Sequence, residues 1–301
     1  MRFIDFANYG RSNVFSYFLS LVCIITGFFT AQLLAVSFLP LFYSEEEYTS
    51  LLTQADYLNL LGKNGFFAFA LVPFVFLFLL ILYSIRFIHK RKLITVFTAR
   101  KRFDWKRFFF SFSVMVVILT ALLLIQLFFD QSLVWNFNIE KFIVLAILVI
   151  FLIPIQIMAE ELLFRSYVLQ GLKKRLGHSG HSVVISGIMF GMLHLGNPEI
   201  AEIGFHLVFY YILAGIFLGA IVLFDNGIEL TLGYHAANNM FAALMITSDW
   251  QAFQTHSVFR DVSDPGNGIG SIVFSIILYA VLFFLFYKKF NWQGLKEIWT
   301  Q

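Results

Sequence analysis

The sequence predicts an all-α polytopic membrane protein, with about eight transmembrane helices around an intramembrane cavity. Three observations carry this. Of 301 residues, 59% are hydrophobic and only 13% are charged, about half the charged share of a soluble domain. Several apolar runs reach the roughly 20 residues that a bilayer requires. Polar residues interrupt those runs almost only in the second half of the chain. No linker or low-complexity stretch divides the chain, so residues 1–301 read as one membrane domain. The net charge of +3 is a topology signal and carries no nucleic-acid footprint. Cys23 is the single cysteine, which excludes an intramolecular disulfide and a cysteine-ligated metal.

The first apolar run, Val14 to Leu39, is too long for a signal-peptide core and lacks a cleavage site, so it reads as a retained helix ended by Pro40. An acidic loop follows, with Glu45, Glu46, Glu47 and Asp56. The second helix, Gly65 to Ile88, empties into the most basic stretch of the chain, Arg86 to Arg107. The third spans Phe108 to Phe129. The fourth starts near Lys141 and continues to Leu172, long enough to tilt or to project from the bilayer. Lys173-Lys174-Arg175-Leu176-Gly177 ends it, with cations and then Gly where a helix C-terminus favours them. The fifth helix is short, His181 to Leu195, and stops before Pro198. The sixth runs from Gly204 to Phe224, with Gly215 and Gly219 spaced for close helix contact. The seventh is Ile228 to Thr247 and the eighth Ile269 to Tyr287.

With eight crossings the cations sort by side. Arg2, Arg11, the Lys and Arg residues of 86–107 and of 165–175, and Lys288, Lys289 and Lys296 share one side. Only Lys63, Lys141 and Arg260 fall on the other. Both termini are therefore expected in the cytoplasm. The basic loop can also attract anionic lipids. His178 and His181 flank Gly180 in a turn and read as solvated.

The interior polar residues carry the chemistry. Glu160-Glu161-Leu162-Leu163-Phe164-Arg165 sits late in the fourth apolar run. Carboxylates at membrane depth persist only with partners or a task. Glu161 and Arg165 are four apart and share a face, whereas Glu160 lies about 100° round the helix. His194 follows Phe190 by four, with Gly187 and Gly191 leaving room for a neighbouring helix. His235 and Asn239 repeat the same spacing. Glu160 lies roughly 18 Å from Leu172, His194 roughly 20 Å from His181, and His235 roughly 11 Å from Ile228. These comparable depths on three helices predict one interior cavity.

A carboxylate with two imidazoles and a carboxamide suits hydrolysis. A glutamate can take a proton from water, an imidazole can orient that water or protonate a leaving amine, and His–Asn can donate to an oxyanion. No serine or lysine accompanies the group as a nucleophile. Zinc is the rival chemistry, with Glu160, His194 and His235 as ligands and water in the fourth position. Against it, Asn239 has a role as a donor and none as a zinc ligand. A water-activating glutamate needs no cofactor.

The three motifs, Glu-Glu-x-x-x-Arg at Glu160–Arg165, Phe-x-x-x-His at Phe190–His194 and His-x-x-x-Asn at His235–Asn239, come in that order on successive apolar helices. This arrangement resembles the CAAX-protease and bacteriocin-processing family, also called the ABI family, of intramembrane glutamic endopeptidases. The resemblance covers residues 141–247 as a catalytic core. It implies Glu160 as the base and His194 as an aid to water activation. His235 and Asn239 would form the oxyanion site, supported by Glu161, Arg165 and Phe190. It also implies a lipidated, CAAX-type or membrane-associated peptide as the substrate, met in a cavity open to the cytoplasmic side. A non-catalytic immunity factor, scaffold or transporter is the alternative class, since intramembrane carboxylates and histidines also mark transport pathways. A transporter often shows an internal repeat; the polar residues here occupy one half only.

Overall fold

The chain folds as an all-α membrane bundle in a computed structural model that describes residues 2–266 and 268–300. Eight long helices build it: α1 (Val14–Ser37), α2 (Gln54–Tyr83), α3 (Trp105–Phe129), α4 (Ile139–Leu176), α5 (Ser179–Leu193), α6 (Leu207–Asp225), α7 (Glu229–Met245) and α8 (Ile269–Phe290). Six of them, α1, α2, α3, α4, α6 and α8, are long and apolar enough to cross a membrane. The remaining two differ from the expectation of eight crossings. α5 has 15 residues and α7 has 17, or about 22 and 26 Å, short of the roughly 30 Å hydrocarbon core. Both carry the polar motifs, and residues Glu229 to Ala237 of α7 are buried in protein. Large apolar side chains such as Phe15 and Phe29 on α1, Phe128 on α3 and Phe151 on α4 stay exposed, as a lipid-facing surface requires.

Most helix limits lie within three residues of the sequence reading. Two do not. α2 begins at Gln54 because Thr53 and Asp56 form a capping box, with the Thr53 amide donating to Asp56 Oδ2 at 2.7 Å and the Asp56 amide donating to Thr53 Oγ1 at 3.3 Å. Gly62, at φ 67°, kinks this polar prologue before the apolar run starts. α4 continues to Leu176, and its stretch Leu162–Val168 widens into π-helix directly after the glutamate pair. Such widened turns recur at functional sites.

The two ends of the bundle differ. At one end the α6–α7 turn is pinned from three sides. Asp225 takes Arg107 and Arg100, the latter at 3.2 Å, and the Trp292 indole at 3.1 Å. Arg100 also meets Glu229 at 3.2 Å. Asn226, left-handed at φ 58°, accepts the Phe3 amide through its side chain and the Ala99 amide through its carbonyl. These ties fix the start of α7, and with it the height of His235. The opposite end carries three short strands, β1 (Leu133–Trp135), β2 (Ile246–Thr247) and β3 (Phe259–Asp261), in the order β1-β3-β2. β3 pairs antiparallel with β1 and parallel with β2.

α5 and α6 cross antiparallel on their glycines. A Cβ on Gly215 would lie 2.7 Å from the Gly187 backbone, and one on Gly191 would lie 2.8 Å from the Ile212 amide nitrogen. Gly215→Val is therefore expected to destabilise the purified protein by about 1–3 kcal/mol. Gly196→Ala, where a Cβ meets open space, should stay within about 0.5 kcal/mol. Equal unfolding midpoints for the two variants would refute the close crossing.

Candidate functional site

α4 supplies the acidic half of the site. Gln156 and Glu160, one turn apart, face the same way, and Gln156 Nε2 donates to Glu160 Oε1 at 2.8 Å. Glu160 keeps 13% of its side chain exposed, whereas Glu161 has none. Four residues on, inside the widened turn, Arg165 lies buried with its Nε 3.6 Å from Glu161 Oε1. Its guanidinium carbon sits 4.0 Å from the centre of the Phe190 ring. Among the described residues no hydrogen-bond acceptor reaches its nitrogens, so an ion pair and an aromatic face hold this charge.

α7 adds His235 between the two carboxylates. Its Nδ1 is 3.0 Å from Glu161 Oε1, and its Nε2 is 3.8 Å from Glu160 Oε2. Glu161 is ion-paired and can only accept, so Nδ1 carries the proton and donates. Nε2 then points a lone pair at Glu160 unless the ring gains a second proton. The 3.8 Å gap is too long for a hydrogen bond.

α5 ends at His194, whose Nδ1 lies 2.8 Å from the Phe190 carbonyl oxygen. A carbonyl can only accept, so this nitrogen is the donor and Nε2 is bare in the neutral ring. The ring is clamped between Phe190, with centroids 4.5 Å apart, and Tyr211, at 4.1 Å and nearly parallel. Phe190 thus touches both Arg165 and His194. Asn239 lies one turn beyond His235. Its hydrogen bond among the described residues is to Asn238, whose Nδ2 donates to Asn239 Oδ1 at 3.2 Å.

The structure therefore joins Glu160, Glu161, Arg165 and His235 directly, and links His194 to them through Phe190. Asn239 makes no hydrogen bond to either histidine or either carboxylate among the described residues. Two participants go unremarked in the motifs. Gln156 was legible as a polar residue four before Glu160 in an apolar run. Tyr211 carries no sequence signal, because aromatic residues are everywhere in this chain. Among the described residues, no three His, Cys, Asp or Glu side chains are grouped as metal ligands would be, and His235 Nδ1 is committed to Glu161.

A cavity of about 560 Å³ adjoins the site, and Tyr211 and Asn238 line both. It lies among α3, α6, α7, α8 and the residues around Glu199 and Trp250, toward the end opposite the Arg100–Asp225 cluster. A second cavity of about 430 Å³ surrounds Arg100, Asp225 and Trp292 at the basic end, and none of the motif residues lines it. The sequence reading expects access from the basic end, where the depths were measured. The cavity that shares Tyr211 and Asn238 with the site lies toward the other end.

Fold and site together define a polytopic helical membrane protein with a carboxylate–imidazole centre enclosed by α4, α5 and α7. Residues 140–241 match the family model described as type II CAAX prenyl endopeptidase Rce1-like, about a third of the chain. The chain is also 34% identical over 166 residues to an uncharacterized protein, YyaK, of Bacillus subtilis strain 168, a match covering 54% of this chain. It spans 56%, about half, of that relative's length. No solved structure matches the chain significantly.

Proposed function

We propose that the protein is an intramembrane endopeptidase in which Glu160 activates the hydrolytic water. The observation that carries this is the pairing of unlike carboxylates around His235. Glu161 is sealed against Arg165 and orients the ring, while Glu160 stays partly accessible with Oε2 toward Nε2. Water attacks the peptide carbonyl carbon as Glu160 takes its proton, and the carbonyl oxygen becomes an oxyanion. That proton can pass on to His235 Nε2, and the resulting imidazolium is stabilised by Glu161. His235 then donates toward the oxyanion, with Asn239 as the second donor. Breaking the C–N bond passes the proton to the leaving amine, giving an amine and a carboxylic acid that ionises to the carboxylate by releasing its proton to solvent. His194, with Nε2 bare, accepts from and orients the attacking water. A lipidated, CAAX-type or membrane-associated peptide is the substrate in this reading, which the family description supports, and the cation distribution favours both termini in the cytoplasm.

The test is cleavage of lipidated and unlipidated membrane peptides by purified protein, with and without a zinc chelator, beside Glu160→Ala. Cleavage that requires Glu160 and survives chelation is the expected result. Loss on chelation, restored by zinc, would instead place Glu160, His194 and His235 around a metal.

A further inference from the structure

The cavity beside the site has a chemistry of its own. Among the described residues, Glu199 is the only charged side chain lining it. Its Oε1 accepts the Ala252 amide at 2.9 Å, while its Oε2 is buried without a hydrogen-bond partner among the described residues. The indole Nε1 of Trp250, another wall residue, is likewise buried and unpartnered. A buried carboxylate oxygen and an indole N–H left open are costly unless something completes them. Tyr210, Tyr211, Tyr234 and Tyr279 contribute further wall, and aromatic faces attract cations. Among the described residues, no lysine or arginine lines the cavity to neutralise Glu199 from within.

We propose that this cavity is a substrate subsite that takes a primary ammonium group of the peptide, held by Glu199 and flanked by the aromatic walls. Trp250 Nε1 donates to a neighbouring peptide carbonyl. The subsite deepens the peptidase reading and rests on it. Two links tie it to the scissile bond. Tyr211 stacks on His194, and Asn238 holds Asn239. Asn197, two residues before Glu199, donates to the Tyr211 hydroxyl at 3.4 Å, so the acidic wall and the His194 clamp form one surface. The volume of about 560 Å³ lies in the range of roughly 300–1,000 Å³ usual for ligand sites. Its position at the Lys/Arg-poor end means that the ammonium-bearing part of the peptide enters from that end.

The ammonium can be a lysine side chain or a free N-terminus. A suitable probe set is an otherwise uncharged ten-residue leucine–alanine peptide in which one lysine is walked along the chain. Each has a norleucine counterpart, with the N-terminus free or acetylated. Turnover is measured for the wild type and Glu199→Gln. Binding of the same peptides is measured by fluorescence anisotropy on Glu160→Gln, with and without Glu199→Gln. At one lysine position, or for the free N-terminus alone, the wild type should favour the ammonium by about tenfold or more in kcat/KM. The Glu160→Gln protein should favour it similarly in Kd. Glu199→Gln should shrink that ratio towards one; Gln keeps the oxygen that accepts from Ala252. Equal handling of charged and neutral peptides by the wild type would overturn the subsite while leaving peptidase activity standing. If nothing is cleaved, the anisotropy series decides: a Glu199-dependent preference sustains the subsite, and its absence refutes it.

Discussion

Glu160→Gln should lower peptide turnover by about 10²–10⁴-fold and leave the unfolding midpoint of the purified protein where it was. The separation of the two effects is the informative part. A glutamine at 160 keeps the side-chain shape and an oxygen that can accept from Gln156 Nε2, the contact now at 2.8 Å. It removes only the capacity to take a proton. Its hydrogen-bond partner is the uncharged Gln156, while His235 Nε2 is 3.8 Å away and Arg165 pairs with Glu161. Turnover is read with a peptide the wild type cleaves, and stability by thermal unfolding in the same detergent. Retained turnover would move the base elsewhere. A fall in both quantities would make Glu160 a structural residue, and the site would lose its water-activating group.

The fold class was legible because a membrane segment must be apolar for its full length and satisfy its backbone within itself. Polar residues inside such runs stand out for the same reason, which makes Glu160, Glu161, Arg165, His194, His235 and Asn239 legible in the sequence. The glycines were equally readable: Gly187, Gly191 and Gly215 lie where α5 and α6 nearly touch. What periodicity cannot supply is the pairing across helices. Glu161 and Arg165 at i, i+4 promise a contact along one helix, but nothing in the spacing says that His235 turns Nδ1 to the buried glutamate. Hydropathy also counted α5 and α7 as full crossings. It measures composition over a window, whereas these helices are short, α7 carries Glu229, His235, Asn238 and Asn239, and α7 is walled in by α3, α4 and α6. The three strands at the far end were missed because each has only two or three residues, too few for an alternating pattern to register.

The second large effect is on stability. Arg165→Met is expected to destabilise the protein by about 3–5 kcal/mol, since removing one member of a buried ion pair strands the other. Glu161 has no exposed surface and would be left with His235 Nδ1 at 3.0 Å in place of its ion pair with Arg165. Methionine fills the space beneath Phe190 but brings no charge. The paired variant Glu161→Gln with Arg165→Met should therefore be more stable than Arg165→Met alone, because no unmatched charge remains inside. Arg165→Lys should not rescue, since an ammonium lacks the planar face that lies 4.0 Å from the Phe190 ring. Unfolding midpoints of the wild type, Glu161→Gln, Arg165→Met and the paired variant in one detergent give the coupling directly. Additive losses would mean that the two charges are solvated independently. Strong coupling would instead show that Arg165 holds Glu161 ionised and in place. Glu161 in turn sets the tautomer of His235, so turnover by the charge-neutral pair should fall even where its stability recovers. A protein that regained both would show that His235 needs no oriented carboxylate, and the proton route from Glu160 through Nε2 would have to be abandoned.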